Sequence, residues 1–212
     1  MKFTKIDYQN WERREIHEYF HDTSIYTTVH MDITDFLARV KEQGLRFYPA
    51  MIYCIAKVVN DHSDYRYGYD EDHNIGIWDR IHPLYTVPRK NAPHLFSMVV
   101  TEYQEDFDEF YNAFLADYER AEACGKLFCD GEPPANSMGI TAMPGVHFSS
   151  FAFGDPGAKP DCTPFVVLGK YERQGERVIL PVCGEFSHAV NDGYHITRFF
   201  EALDTAIKDL NI

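Results

Sequence analysis

An α/β chain folded around a mixed sheet is what this sequence predicts, on three observations. Short runs rich in β-branched and aromatic residues alternate with segments whose apolar residues recur at helical spacing. With 212 residues, the chain has the length of one α/β domain, and neither an internal repeat nor a Pro/Gly-rich linker divides it. Hydrophobic residues make up 45% and aromatic residues 15%, enough for a sizeable core.

Taken in order, residues 11–20 read as a helix and residues 25–30 as an alternating strand. Asp32 and Thr34 are candidate caps for a helix through Val40 that stops at Gly44, where glycine permits a left-handed turn. Pro49, at an acceptable first-turn position, opens an apolar helix to about Asn60. Residues 75–78, 84–87 and 96–101 read as strands. Residues 106–123 form a long amphipathic helix with Phe107, Phe110, Phe114 and Tyr118 on one face, an aromatic stripe that belongs in a core. Residues 130–137 are a Gly/Pro-containing loop, and residues 165–172 with 177–186 make a hairpin around Gln174 and Gly175. In the closing helix, Ile196, Phe199, Phe200, Leu203 and Ile207 recur at helical spacing.

Composition narrows the function. A formal charge of −13 argues against nucleic acid or an anionic membrane as partner, since both call for clustered Lys and Arg. No run of 18 apolar residues occurs, and residues 1–7 lack the apolar stretch of a signal peptide, which predicts a cytoplasmic protein. Cys54, Cys124, Cys129, Cys162 and Cys183 are odd in number, scattered and without a C-x-x-C pair. They read as free thiols, with no zinc site.

The chemistry concentrates in Phe186-Ser187-His188-Ala189-Val190-Asn191-Asp192-Gly193-Tyr194-His195, an H-x-x-x-D-G stretch. An apolar strand precedes it and the closing helix follows, so His188 sits on a strand-to-helix turn. Imidazole is the side chain best suited to take a proton near neutral pH. His188, Asp192 and His195 straddle that turn, and no metal is expected there.

With the stretches 10–15, Arg46-Phe47-Tyr48-Pro49, Ile77-Trp78-Asp79 and Leu168-Gly169-Lys170-Tyr171, in that order, the chain resembles the type A chloramphenicol acetyltransferases over essentially its whole length. The resemblance implies a two-layer sandwich with the CoA-dependent acyltransferase fold, and a homotrimer with active sites between subunits. It also implies acetyl-CoA as co-substrate and a chloramphenicol-like acceptor. In the family pattern, His188 is the base that deprotonates the acceptor hydroxyl for direct attack on the thioester. Asp192 and Arg13 form a structural pair that holds the turn; buried, such a pair would cost about 3–5 kcal/mol to break. Thr141 falls where the family has a serine that holds the oxyanion. Arg46, Lys170 and Tyr171 fall at the coenzyme A site, and Tyr19, Phe20, Phe96, Met98, Phe128, Phe151 and Phe153 at the acceptor pocket.

Departures are equally specific. The first histidine of the family's usual pair is Ser187, a tryptophan beside coenzyme A is Gly145, its neighbouring asparagine is Gly139, and a site threonine is Val167. The segment between Phe20 and Ile25 is about three residues shorter than in the family, which bears on acceptor identity more than on reaction class. Beside a chloramphenicol O-acetyltransferase, two other readings stand. One is a related acyltransferase with another hydroxyl or thiol acceptor; no lipoyl domain or linker precedes the domain, against the dehydrogenase-complex version. The other is a non-catalytic trimeric ligand-binding relative, against which the joint presence of His188, Asp192 and Arg13 argues.

Overall fold

The computed structural model describes residues 2–153 and 161–212. In chain order it runs β1 (Phe3–Lys5), α1 (Arg14–Phe20), β2 (Ser24–Asp32), α2 (Thr34–Glu42), α3 (Phe47–Asp61), β3 (Tyr67–Tyr69), β4 (Ile75–Trp78), β5 (His82–Arg89) and β6 (Ala92–Val100). Then follow α4 (Phe107–Cys124), β7 (Ser137–Ala142), β8 (Phe165–Leu168), β9 (Glu172–Gln174), β10 (Arg177–Ser187) and α5 (Gly193–Asp209). The main sheet has the order β2-β10-β8-β7-β5-β6, with β9 also pairing with β10. It is mixed: β5–β7 and β7–β8 are parallel, whereas β2–β10, β10–β8 and β5–β6 are antiparallel. A small antiparallel sheet, β1-β4-β3, stands apart.

Alternation along the strands sends one set of side chains toward the helices. Leu180, Val182 and Phe186 of β10, Val166 and Leu168 of β8, Ile140 of β7, and Tyr85 and Val87 of β5 are buried in one cluster with Ile52, Ile55, Phe110, Phe114, Phe199 and Leu203. Phe114 stacks on Tyr85 at 4.3 Å between ring centroids, and fully burying one such ring contributes roughly 1.5–3 kcal/mol. The other face is covered only in part: Val167 and Cys183 lie beneath Phe148, with Phe151 packed against them. The result is a helix layer on a sheet layer, the predicted two-layer architecture, with a second sheet face left for a site. Among the described residues, no helix is long and apolar enough to cross a membrane.

Several predicted details change. The first helix starts at Arg14, not Trp11: residues 8–10 form a separate 3-10 turn, and Trp11 is extended, its ring packed near those of Tyr67 and His17. Asp32 and Thr34 share the start of α2, the Asp32 carboxylate accepting from the Thr34 N–H at 3.1 Å, and Ile33 occupies the cap position itself. The hairpin into β10 is broken at residues 169–171, where Gly169 lies so close to Phe148 and Pro181 that a Cβ would meet the Phe148 ring at 2.9 Å. Cys124 and Cys129 are joined as a disulfide, while Cys54, Cys162 and Cys183 are free and buried. The reading of five free thiols therefore fails for that pair. Gly125, left-handed at φ 70° after the last residue of α4, reverses the chain and brings Cys129 back to Cys124, a proximity that spacing alone does not reveal.

Candidate active site

Strand β10 ends at Ser187, paired with Ser24 of β2, and the chain then turns through His188 to Asn191 before α5 begins. The short segment after α1 is tied directly into this turn, the His188 N–H donating to Thr23 O at 2.8 Å. Phe20, the last residue of α1, lays its ring 3.9 Å from the His188 imidazole, centroid to centroid. The end of α1 thus sets an aromatic wall against the histidine.

The tautomer of His188 follows from its partner. Nδ1 lies 3.2 Å from the Asn191 carbonyl oxygen, which only accepts, so Nδ1 carries the proton and Nε2 keeps its lone pair. That is the form a general base requires. Asn191 is fully buried and held by its side-chain amide, which donates to Asp64 O at 2.9 Å. It stands inside the H-x-x-x-D-G stretch, yet sequence reasoning gave it no role because it acts through its backbone oxygen.

Asp192 faces elsewhere. It receives Arg13 Nη1 at 3.2 Å on Oδ2, while Oδ1 accepts from the Tyr194 N–H at 3.1 Å and lies 3.0 Å from His195 Nδ1. Arg13 Nε also donates to Ala189 O at 3.0 Å. Burial works against the charged carboxylate, but the bonds from His195 and Arg13 outweigh it and hold Asp192 below the ordinary Asp range. Asp192 therefore caps α5, and its contact with Arg13 links the turn to the residue before α1. The expectation of a buried pair is corrected: the Asp192 side chain is 36% exposed and that of Arg13 13% in the single chain, so solvent screens it well below the buried-pair cost. His195, unassigned from sequence, completes the cap.

Thr141 lies elsewhere on the sheet. Cross-strand register puts Thr28, Cys183, Val167 and Thr141 in one row, continued by Thr86 opposite Met98. Thr141 Oγ1 meets Thr86 Oγ1 at 3.0 Å. Thr86 was not among the sequence candidates, and nothing local marks it, since the contact depends on strand order. Thr141 is two strands across from Cys183, and His188 follows Cys183 by five residues. Strand spacing and rise then place His188 and Thr141 roughly 19 Å apart within one chain.

The acceptor-pocket candidates divide in the same way. Phe20 stands beside His188, and Tyr19, 79% exposed, packs its ring 4.7 Å from that of Phe20. Phe151 and Phe153 lie over the middle of the sheet, the Phe151 carbonyl accepting from Cys183 Sγ and the Phe153 ring stacked on Phe165 at 5.9 Å. Met98 bridges to Phe128 on the far edge, where both line a cleft of about 330 Å³, and Phe96 is exposed two residues before Met98 on β6. Of the coenzyme A candidates, Arg46 precedes Phe47, whose ring lies 5.5 Å from that of Tyr171, with Lys170 exposed next to it. The two glycines that the resemblance singled out differ: a Cβ on Gly145 would meet open space, whereas one on Gly139 would meet the Phe165 ring at 2.4 Å. A side chain at position 139 would therefore need the Phe165 ring to move.

The family model described as chloramphenicol acetyltransferase matches residues 1–204. A chloramphenicol acetyltransferase of Clostridium perfringens is 36% identical over 203 residues, covering 94% of this chain and 92% of its own length. One of Staphylococcus aureus is 33% identical over 205 residues, covering 96% and 94%. Among solved structures, a chloramphenicol acetyltransferase superposes with a TM-score of 0.82 at 22% identity, covering 97% of this chain and 100% of that one.

Proposed function

This chain belongs to the chloramphenicol acetyltransferase family, and from that premise we propose that it transfers the acetyl group of acetyl-CoA to a hydroxyl of chloramphenicol, with His188 as general base. The observation that carries this reading is the His188 turn, where a backbone carbonyl fixes the proton on Nδ1 and leaves Nε2 free to accept. Nε2 takes the acceptor's hydroxyl proton as that oxygen attacks the thioester carbonyl. The Thr141 hydroxyl donates to the oxyanion that develops. Collapse breaks the C–S bond, and the proton on Nε2 passes to the departing coenzyme A thiolate. No covalent acyl-enzyme is required.

Two copies of the chain supply one site in this reading, and the homotrimer expected from sequence is the assembly we propose. The distance between His188 and Thr141 supports it, because a base and an oxyanion donor acting on one tetrahedral centre must both lie within hydrogen-bond reach of it. Tyr19 and Phe20 would accompany His188, and Phe96, Met98 and Phe128 would accompany Thr141, closing over an aromatic acceptor. Arg46 and Lys170 offer cations, and Tyr171 with Phe47 an aromatic surface, for the nucleotide and phosphates of coenzyme A. The cytoplasm is the compartment consistent with this substrate pair.

Steady-state release of free thiol from acetyl-CoA with chloramphenicol as acceptor tests the reading. Wild type is expected to turn over, and His188→Ala to lose about 10²–10⁴ in rate or more with an unchanged melting profile. Retention of more than about a tenth of wild-type activity would remove His188 from the base role. No turnover at saturating chloramphenicol, alongside turnover of another hydroxyl or thiol acceptor, would reassign the acceptor.

A further inference from the structure

The hydroxyl of Thr141 can serve an oxyanion only if its single proton points there, and nothing in Thr141 itself decides that. A threonine hydroxyl has one proton and two lone pairs. If Thr141 donated to Thr86, it would have nothing to offer the acyl oxygen; if Thr86 donates to Thr141, the Thr141 proton is free. The 3.0 Å contact between the two oxygens is therefore productive in one direction alone.

Thr86 and Thr141 sit side by side on the parallel strands β5 and β7, next to the paired Tyr85 and Ile140. Both are β-branched and stiff at χ1, so the two oxygens stay facing each other. The direction of donation follows from the role proposed for Thr141, whose proton is free for the oxyanion only when Thr86 is the donor across the 3.0 Å contact.

We infer that Thr86 is a positioning residue for acyl transfer: its hydroxyl donates to Thr141 Oγ1 and so aims the Thr141 proton at the oxyanion. This rests on the proposed role of Thr141. Thr86 touches neither substrate in this scheme and acts through Thr141 alone.

A double-mutant cycle with chloramphenicol and acetyl-CoA separates the possibilities. Thr141→Ala is expected to lower kcat about 10²-fold or more, as for loss of an oxyanion donor. Thr86→Val, which keeps the β-branched shape, is expected to lower kcat about tenfold with both KM values unchanged, since misdirecting a donor costs less than deleting it. Thr86→Ser should restore kcat, and Thr86→Val added to Thr141→Ala should cost nothing further. Wild-type kcat in Thr86→Val, or an equal loss in both backgrounds, would overturn the inference while leaving Thr141 its role. An unimpaired Thr141→Ala, or a wild type without turnover, would overturn the underlying reading and this inference with it. Should Thr86→Val fail to fold, Thr86→Ala and Thr86→Ser carry the same comparison, a shared loss overturning the inference and rescue in Ser alone supporting it.

Discussion

His188 and Asp192 lie four residues apart and do different work, and their partners show why. The imidazole is oriented by a backbone carbonyl, and the carboxylate by a guanidinium and the first turn of α5. Asp192→Asn tests the division, because asparagine caps a helix nearly as well as aspartate while giving up the charge. The folded carboxylate titrates below the unfolded one, so its stabilisation is complete above the unfolded value of about 3.9 and disappears as pH falls through the folded value. With the side chain over a third exposed, Asp192→Asn should cost about 1 kcal/mol or less near neutrality. That cost should vanish in acid. Thermal melts from neutral pH to below about pH 4 would show the two curves converging, with most activity retained. Normal melting with activity abolished would make Asp192 a triad carboxylate instead.

At the scale of elements, α1 is a short helix on which much depends. It is preceded by Arg13 and ends in Phe20, so its placement sets both the clamp on Asp192 and the wall against His188. His17 holds it down: Nδ1 lies 3.0 Å from Tyr8 Oη and Nε2 2.9 Å from Tyr69 Oη, in a site where the residue is 9% exposed. Burial lowers the pKa of His17, and its neutral form both donates and accepts. The stabilisation is thus fully present above the unfolded value of about 6.5 and is lost as pH falls through the folded value. His17→Phe should destabilise by about 1–3 kcal/mol above that pH, with the difference narrowing on acidification, and kcat should fall as Phe20 loosens. Equal melting temperatures across the range would remove His17 as the anchor. The apolar stripes of α4 and α5 were legible because burial repeats with the helical period. The start of α1 was not, because Trp11 packs on Tyr67, a residue of the small sheet that no local pattern reveals.

For the whole molecule, the proposed two-copy site makes a demand that no single-chain variant tests. Chains carrying His188→Ala and chains carrying Thr141→Ala are each expected to be nearly inactive. Co-refolded in equal amounts, they should form mixed assemblies in which about a quarter of the interfaces pair an intact His188 with an intact Thr141. Activity of the mixture far above either parent would support the shared site, and activity no higher than the parents' mean would place both residues in one chain's site. The disulfide between Cys124 and Cys129 closes the loop that carries Phe128, so the far wall of that site depends on chain reversal at Gly125 as well as on strand order.

The sequence by itself determined what a period can encode. It specified the alternation of strands and helices, the apolar stripe of α5, the strand-to-helix turn that presents His188, and, through co-linear motifs, the family. These follow from spacings of two and about 3.6 residues and from runs read in order. Tertiary structure alone decided which atoms meet. Arg13 reaches Asp192 across 179 positions and Thr86 reaches Thr141 across 55. The His188 tautomer depends on a carbonyl oxygen whose direction is a backbone angle, not a residue type. Partners distant in the chain are brought together by sheet order and helix placement, which minimise buried unpaired polar groups over the whole molecule at once, and no local pattern of side chains carries that sum.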